Sequence, residues 1–376
     1  MKKKIITTKN SKKASQQPTL NKTDKLHLYT RIEESLRKVD PVVITQKERK
    51  LIRNIQRNTK RLNKNNITRT KAYLSFFKDH EEIQWAFLAH MVSRNGGYNM
   101  TDLKGSLLER LLDAEDKKVL FHFLEKANAL IFHDAFPQLL LYKFSLKEQT
   151  SLFHLLPAFN VSKFMIPIWE DFLKHKNSTL LTFALITNEQ QYIEKNLMSE
   201  KTIKENILHS LSYLLQEKLG FTHVIFPYKR YSFLPKYSLA GIEVHNFNSV
   251  DNRIKIGKHL YNILFTKNRY ETILKFAIKH HHSGSRSDYW PHIFSNNELE
   301  HHKLISPTLT NAWDNIPHRF HMNQDWFTKL SQIENFEIGS EKLFQDITKD
   351  ISKDIHLLKT IGKVKTLTLP PQKEKG

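Results

Sequence analysis

Apolar residues recur at helical spacing almost without interruption from Glu115 to Leu219, and this feature limits the fold more than any other. Pro137 and Pro157 interrupt the pattern and are predicted to separate successive helices. Two short runs of β-forming residues follow at His223–Pro227 and Ala240–His245, after which helical spacing returns. The sequence therefore predicts a mainly α fold, a multi-helix globular domain with minor short β elements.

Positive charge is concentrated near the N-terminus. The net charge of the chain is +21, and residues 1–70 contain 20 Lys and Arg against 5 Asp and Glu, a net of +15. We predict a disordered basic tail over residues 1–23 and a basic helical arm over 24–66. The main helical domain is predicted over 67–335, followed by an amphipathic helix and flexible tail over 336–376.

A basic segment of this kind attracts polyanions, so residues 1–70 predict nucleic acid or an anionic membrane surface as a partner. The same charge is also typical of a solubilising tail without a partner. The chain has no cysteine, which excludes disulfides, thiolate metal sites and a cysteine nucleophile. Neither a secretory signal nor an apolar run of transmembrane length is apparent, so we expect a cytoplasmic protein with no transmembrane segment.

The densest group of polar side chains lies in HMVSRNGGYNMTDLKG, which runs from His90 to Gly105. Residues 82–94 predict a helix that is capped by Asp79 and ended by Asn95-Gly96-Gly97, after which Thr101 would begin the next helix. One side of this helix carries small residues and a histidine where Lys and Glu are expected, namely Ala86, Ala89 and His90. Either another element packs against this side or a ligand lies there.

These side chains suggest a site for an anion. His90 is a candidate general base near neutral pH, and Asp102 is a second candidate catalytic residue. Arg94 is a candidate bidentate ligand of a carboxylate or phosphate. The other candidate ligand-binding residues of this turn are Ser93, Asn95 and Thr101. The structural alternative is that Arg94 caps the carbonyls of the glycine turn and pairs with Asp102.

A second polar turn, HHHSGSRSDYWPHIF, lies between His280 and Phe294. Ser285 and Arg286 are candidate ligand-binding residues, and Asp288 is a third candidate catalytic residue. The serines do not occur in the G-x-S-x-G pattern of hydrolases, which gives little support to a serine nucleophile. Because both turns follow an apolar helix and carry an Arg and an Asp, we predict that they meet in space. The alternative is that Arg286 and Asp288 only brace their own loop.

Eight of the 20 histidines lie between residues 280 and 321, which raises the question of a metal. Glu298-x-x-His301 occurs once, whereas a di-iron bundle uses this motif twice with two further carboxylates. His318-x-x-His321 has metal-ligand spacing, but Pro317 disfavours the helix that it would need. We therefore predict no metal site, and the sequence identifies no cofactor.

Several of these segments together resemble one family. NITRTKAY at 66–73, HMVSRNGG, NMTDLKG, GSRSDYWPHIF and SPTLTNAWDN are similar to the YppC-like family of uncharacterised Bacillus-type proteins, a domain of unknown function. The resemblance covers roughly residues 50–330 and leaves both tails outside. It implies a cytoplasmic protein of Firmicutes type and supplies no activity, so no functional residue is carried over from it.

The function expected from the sequence is the binding of an anionic ligand, with turnover left open. The pocket would be built from residues 90–102 and 283–290. The competing interpretation is a non-enzymatic interaction protein whose basic N-terminal arm associates with nucleic acid or an anionic surface. The sequence does not decide whether the chain is an enzyme. If the two polar turns lie far apart, the predicted pocket loses its basis.

Overall fold

The computed structural model describes most of the chain between residues 21 and 357. The described residues are 21–37, 43–108, 112–198, 223–231, 236–244, 249–297, 299–300, 302–320, 324–339 and 344–357. Most of the tail predicted over residues 1–23 and the end of the predicted C-terminal segment lie outside them. In the part of the chain so described, no helix is both long and apolar enough to cross a bilayer.

Four helices form the first part of the fold. α1 spans Lys22–Arg37, α2 spans Gln46–Leu62, α3 spans Asn66–Asp79 and α4 spans Gln84–Asp102. Thr45 caps α2 and Asn65 caps α3, each through a capping box that satisfies free backbone N–H groups at the helix start. α3 makes extensive contact with α4, and Tyr73 meets Trp85 edge to face in the core.

Three further helices complete the helical body. α5 spans Ala114–Glu148, a 3-10 helix spans Phe153–Phe159, α6 spans Met165–His175, and α7 spans Ser178–Ile193 and continues as a π-helical turn at Glu194–Met198. At about 1.5 Å per residue, α5 is roughly 50 Å long, and it contacts α2, α3, α4 and α7. The core lies where α4, α5 and α7 meet, with Trp85, Phe132 and Leu185 buried.

A β-hairpin and smaller elements follow. β1 spans His223–Tyr228 and pairs antiparallel with β2, Ser238–Glu243; α8 spans Val250–Leu264 and α9 spans Tyr270–Lys279. A 3-10 turn at Arg286–Asp288 precedes two parallel strands, β3 at Phe294–Ser295 and β4 at Leu304–Ile305, then α10 at Leu309–Ala312 and a 3-10 turn at Leu330–Ile333. Residues 348–357 are helical. The predicted mainly α fold with minor short β elements is confirmed.

The two basic helices at the N-terminus pack onto the body. Leu28 and Ile32 of α1 are buried, and α1 packs on α6. Ile52 and Ile55 of α2 are buried, and α2 packs on α5. Burial of one apolar stripe leaves the opposite, basic side of α2 facing outward, whereas the outer side of α1 carries both acidic and basic side chains.

The helix that was predicted to end at Asn95-Gly96-Gly97 continues to Asp102, so Thr101 lies inside it and does not cap a new helix. Gly96 and Gly97 are not in the left-handed conformation that ends a helix. Close packing explains them instead. A Cβ on Gly97 would lie 2.4 Å from Nε2 of His282 and 2.6 Å from Oδ1 of Asn66. The glycines thus let other elements approach the helix backbone.

Two other helix boundaries also differ from the prediction. Asp79 ends α3, and α4 begins after Ile83 without a side-chain cap. α5 runs through Pro137 even though a proline removes one helical hydrogen bond. Phe132 and Phe136 stack in this part of α5 with their ring centroids 4.5 Å apart, and both are buried. Packing in the core therefore outweighs the local preference of the sequence.

Gly97→Ala is expected to lower the free energy of unfolding by about 1–3 kcal/mol, because the new Cβ collides with His282 and Asn66. Gly96→Ala is the matched control, since its Cβ would approach the end of the Asn128 side chain, at 2.9 Å, which can move. Alanine favours a helix interior over glycine by roughly 0.5–1 kcal/mol, so the control should be close to neutral. Urea unfolding measures both changes. Equal stability of the two variants would contradict the close-packing explanation.

Candidate functional site

The two polar turns meet, as predicted, and the first link between them is an ion pair. Arg286, in the 3-10 turn after α9, donates to both carboxylate oxygens of Asp102 at the end of α4, over 2.7–2.9 Å. It also donates to the hydroxyl of Tyr289 over 2.5 Å. Burial alone would lower the pKa of Arg286, but the charge of Asp102 outweighs burial and raises it. The result is a buried bidentate pair of opposite charges.

The second link joins Arg94 of α4 to Asp288. Nη2 of Arg94 lies 3.3 Å from Oδ2 of Asp288, and Nη1 donates to the carbonyl of His280 over 2.6 Å. The structural alternative paired Arg94 with Asp102, and that pairing is wrong. Each arginine instead binds the aspartate of the opposite turn, so the two ion pairs cross the interface in both directions.

Asp288 is held by its own loop as well. Its carboxylate accepts hydrogen bonds from the backbone N–H of Ser283 over 3.0 Å and from the hydroxyl of Ser283 over 2.6 Å. Burial alone would raise the pKa of Asp288. The nearby imidazole of His282, whose Nδ1 lies 3.7 Å from the carboxylate, and the charge of Arg94 outweigh burial and lower that pKa. Asp288 is therefore an ionised carboxylate that is already fully coordinated by the protein.

The remaining candidate ligand-binding residues are also bound to protein groups. Their partners are the backbone of Ile225 for Asn95, the carbonyl of Gly284 for Thr101, the carbonyl of Ser306 for Ser285, and Asn66 and Thr70 for Ser93. The bonds of Asn95 reach strand β1, and those of Thr101 and Ser285 reach loop carbonyls. Asn95 and Thr101 therefore join the hairpin and a loop to α4, Ser93 joins α3 to α4, and Ser285 joins two loop segments.

His90, the candidate general base, lies inside the same network. Its Nδ1 is 2.8 Å from the carbonyl oxygen of Thr70, which assigns the proton to Nδ1. Nε2 has no hydrogen-bond partner among the described residues. Burial, with a contribution from the charge of Arg94, lowers the pKa of His90 well below its usual range. His90 is therefore a neutral imidazole at pH 7, with a basicity lower than a general base near neutral pH would have.

Burial and mutual pairing favour the structural alternative for this cluster. Arg94 is 1% exposed and Asp102 is 2% exposed, and the charge of each is matched by a partner. A bound anion would have to displace an existing carboxylate from Arg94 or Arg286. The ligand-binding roles of Ser93, Arg94, Asn95, Thr101, Ser285 and Arg286 and the catalytic roles of His90, Asp102 and Asp288 stay predictions.

A third buried ion pair joins this region to the surface. Arg69 of α3 donates to Glu125 of α5 over 2.5 Å, and Nε2 of His318 lies 3.3 Å from the other carboxylate oxygen. Burial alone would raise the pKa of Glu125, but Arg69 and His318 outweigh it and lower the pKa. Arg69 also donates to Asn63 over 3.0 Å. Asn63 and His318 line an open groove, so this ion pair fixes one of its walls.

The groove between α2 and residues 315–320, called the α2 groove below, has a volume of about 920 Å³. Four exposed cationic residues line it, Arg57, Lys60, Arg61 and Lys64. No carboxylate lines the groove within the residues that the structure describes. Its other lining residues are apolar or aromatic, including His133, Pro137, Phe159, Ile316 and Phe320, and polar, including Gln56, Asn63, Asn160 and Asn315.

An aromatic pair forms part of this lining. The rings of His133 and Phe320 stack with centroids 4.1 Å apart and planes inclined by 18°. Burial lowers the pKa of His133 to about 4, so the ring is uncharged at pH 7. The basic charge of residues 1–70 is evident in the sequence, but the groove is not, because His133 and Phe320 are far from α2 along the chain.

A buried carboxyl in the core was also missed. Oδ2 of Asp134 accepts hydrogen bonds from Asn188 over 2.6 Å and from Gln138 over 2.9 Å. The indole N–H groups of Trp326 and Trp169 hold these two amides in turn, over 3.0 Å and 2.8 Å. Burial raises the pKa of Asp134 to about 8. From a single sequence, an acidic residue on a helix does not show whether its own side chain is buried.

Glu189 of α7, which is half-buried, is a second carboxyl whose pKa is raised. Burial raises its pKa to about 8, and Gln190 and Trp85 are its hydrogen-bonding neighbours. Groups of three or more His, Asp or Glu side chains that could hold a metal ion do not occur among the described residues. Glu298, His301 and His321 lie outside those residues, so both histidine motifs of the sequence analysis are only partly described.

Comparison with known proteins gives two matches in sequence. The chain matches the family described as "Protein of unknown function (DUF2515)" over residues 61–353. It is 39% identical over 280 residues to "Uncharacterized protein YppC" of Bacillus subtilis (strain 168), an alignment that covers 74% of this chain and 84% of that protein. No solved structure matches the chain. The predicted resemblance to the YppC-like family is confirmed.

Arg94→Ala is expected to lower the free energy of unfolding by about 3–5 kcal/mol, because it leaves Asp288 as a buried charge without its cation. Adding Asp288→Asn should restore part of the loss, since a neutral amide needs no cation. Urea unfolding measures both, with exposed Arg319→Ala as the control for removal of one positive charge. An Arg94→Ala protein as stable as the wild type, or more stable, would contradict the structural role and favour a pocket strained by an unmatched cation.

Asp134→Asn should change how stability depends on pH. A carboxyl whose pKa is raised by folding stabilises the fold fully below its unfolded pKa of about 4. That contribution is lost as the pH rises through the folded value of about 8. The amide copies the neutral acid, so the variant should melt near the wild type at pH 5 and above it at pH 9. At pH 9 the free energy of unfolding of the variant should exceed that of the wild type by an amount on the order of 5 kcal/mol. A difference that is the same at both pH values would show that Asp134 is ionised throughout.

Proposed function

The chain belongs to the DUF2515 family of proteins of unknown function, and from its own geometry we propose that it binds a phosphate-bearing ligand with a planar ring in the α2 groove. One observation carries the proposal. Arg57, Lys60, Arg61 and Lys64 converge on this hollow, and no described carboxylate lines it. The chemistry of such a site is that of a nucleotide unit, supplied either as a free nucleotide or within a single strand of nucleic acid.

The charge of the groove selects for anions. Cations that line a concave surface with apolar walls produce a stronger positive potential than the same cations on a flat surface. Arg57 and Arg61 offer the planar guanidinium that can bind two phosphate oxygens at once, and the two lysines add single point charges. Among the described contacts, Arg57 donates to the carbonyl of Arg53 and Arg61 donates to Asn58, so neither charge is neutralised by a carboxylate there.

The opposite wall supports the planar part of the ligand. His133 and Phe320 present stacked, uncharged rings beside the cations. Aromatic side chains next to basic ones are the usual combination for single-stranded nucleic acid, because each base can stack while its phosphate meets a cation. The volume of about 920 Å³ lies at the upper end of the range for small-molecule sites, so the groove can hold at least one nucleotide.

A line of cations along α2 favours a strand over a free nucleotide. Lys50 and Arg53 are exposed and lie at spacings of three to four residues on the same side of the helix as Arg57 and Lys60, and Lys64 follows just beyond its C-terminal end. A strand lying in the groove could therefore continue along α2. This arrangement also supports the competing function, a non-enzymatic interaction protein that uses residues 1–70, since α2 belongs to that segment. The two functions share one chemistry and differ in the extent of the bound polyanion.

The proposal predicts that replacing the four groove cations weakens binding by at least about tenfold and flattens its salt dependence, because each lost phosphate contact removes part of the salt slope. The variant carries glutamine at Arg57, Lys60, Arg61 and Lys64. Binding of ATP and of a labelled oligothymidylate is measured by calorimetry and fluorescence anisotropy at two salt concentrations. Glutamine keeps helix propensity, so the melting temperature should not fall.

The matched control replaces four lysines with glutamine, namely Lys147, Lys174, Lys275 and Lys353. These lysines are exposed, lie outside the α2 groove and carry the same total charge as the four groove cations. This control should bind like the wild type. An equal loss of affinity in both variants would show that binding depends only on net charge and would overturn the proposed site in the α2 groove. Deleting residues 1–20 should leave binding intact, and its loss on deletion would move the site to the tail. Failure of the wild type to bind either ligand would end the proposal.

A further inference from the structure

A second, separate cavity lies behind α4. It has a volume of about 150 Å³, is lined by residues of α3, α4, α5, α7, α8 and the edge of the β-hairpin, and is partly open to solvent. Its wall is mostly apolar, with Leu88, Val92, Ile131, Val224 and Leu260 among the lining residues. The cavity is unrelated to the α2 groove, because the two sites share no lining residue.

Small residues create the space. Ala89 of α4 lies on the wall and is only partly buried, and Ser93 lies one turn further along the same helix. On the far side, Gly257 brings α8 so close to α7 that a Cβ there would lie 2.7 Å from Ile186. α7 and α8 are thus in tight contact beside the cavity, and the helices are farther apart at the cavity itself. This is the side of α4 that carries alanines where Lys and Glu are expected.

Two polar groups reach this apolar wall. Tyr73 is 2% exposed, and its hydroxyl has no hydrogen-bond partner in the part of the chain that the structure describes. A buried hydroxyl without a partner is costly and rare, so the position is one where a ligand atom would be stabilised. The carboxyl of Glu189 also lines the cavity, and burial raises its pKa to about 8. At pH 7 it is a neutral acid.

We propose that this cavity binds a small neutral molecule with an apolar body and one hydroxyl or carbonyl group, which accepts a hydrogen bond from the hydroxyl of Tyr73. The volume sets the size, since an apolar cavity of about 150 Å³ holds a molecule as large as benzene. The wall sets the polarity. An anion would find no unmatched cation, because Arg253, the one basic residue among the described lining residues, is paired with Glu194 over 2.6 Å.

The test uses three molecules of nearly equal shape, namely benzyl alcohol, ethylbenzene and benzylamine, the last as its cation. Binding to the full chain is followed by ligand-observed NMR and by the shift in melting temperature. We expect benzyl alcohol to bind about tenfold more tightly than ethylbenzene, as one buried hydrogen bond allows. Tyr73→Phe removes only the hydroxyl and should abolish this preference while leaving ethylbenzene affinity unchanged.

Ala89→Leu fills the cavity and should abolish binding of all three molecules while keeping or raising the melting temperature. Ala89→Val is the smaller substitution if the leucine proves too large to fold. Three results would overturn the proposal. They are the absence of binding by the wild type up to the solubility limit, unchanged binding by a folded Ala89 variant, and tighter binding of benzylamine than of benzyl alcohol. The last result would make Glu189 the anion of a site for amines.

Discussion

Two crossed ion pairs between α4 and the loop at 280–290 determine how the second half of the chain is placed on the first. Arg94 reaches Asp288, and Arg286 reaches Asp102, over nearly two hundred residues of separation in sequence. Both pairs are buried, so neither partner can be removed without leaving a charge in a medium that solvates it poorly. The crossed pairs also fix the position of the loop along α4, because sliding the loop along the helix would break both ion pairs at once.

The close approach of the loop depends on the absence of side chains at Gly97, where His282 and Asn66 occupy the space that a Cβ would need. The same helix supplies Thr101 to the loop carbonyls and, from a different face, Asn95 to strand β1. α4 therefore acts as the common support of the loop, the hairpin and α3. Polar side chains on this helix can be buried because three different elements supply their hydrogen-bond partners in place of water.

The two proposed sites differ in charge. The α2 groove presents exposed cationic side chains at the surface. The Tyr73 cavity lies behind α4, where desolvation raises the pKa of Glu189 and the hydroxyl of Tyr73 has no partner among the described residues. Arg69 and Glu125 lie between the polar network and the groove, and His318 joins their ion pair to the groove wall. Structural and ligand-facing polar groups are therefore neighbours, although their chemistry differs.

Helical spacing of apolar residues determined the fold class, because a buried stripe with the period of a helix can be read from a single chain. The density of Arg and Asp in two turns likewise indicated that they meet. Only the tertiary structure decided which Arg pairs with which Asp, because either pairing of the two arginines with the two aspartates balances the charges equally well. It also decided that α4 continues through Gly96-Gly97 and α5 through Pro137, because packing from other elements outweighs local propensity. The α2 groove and the Tyr73 cavity combine residues from distant helices, and no pattern along one helix contains them.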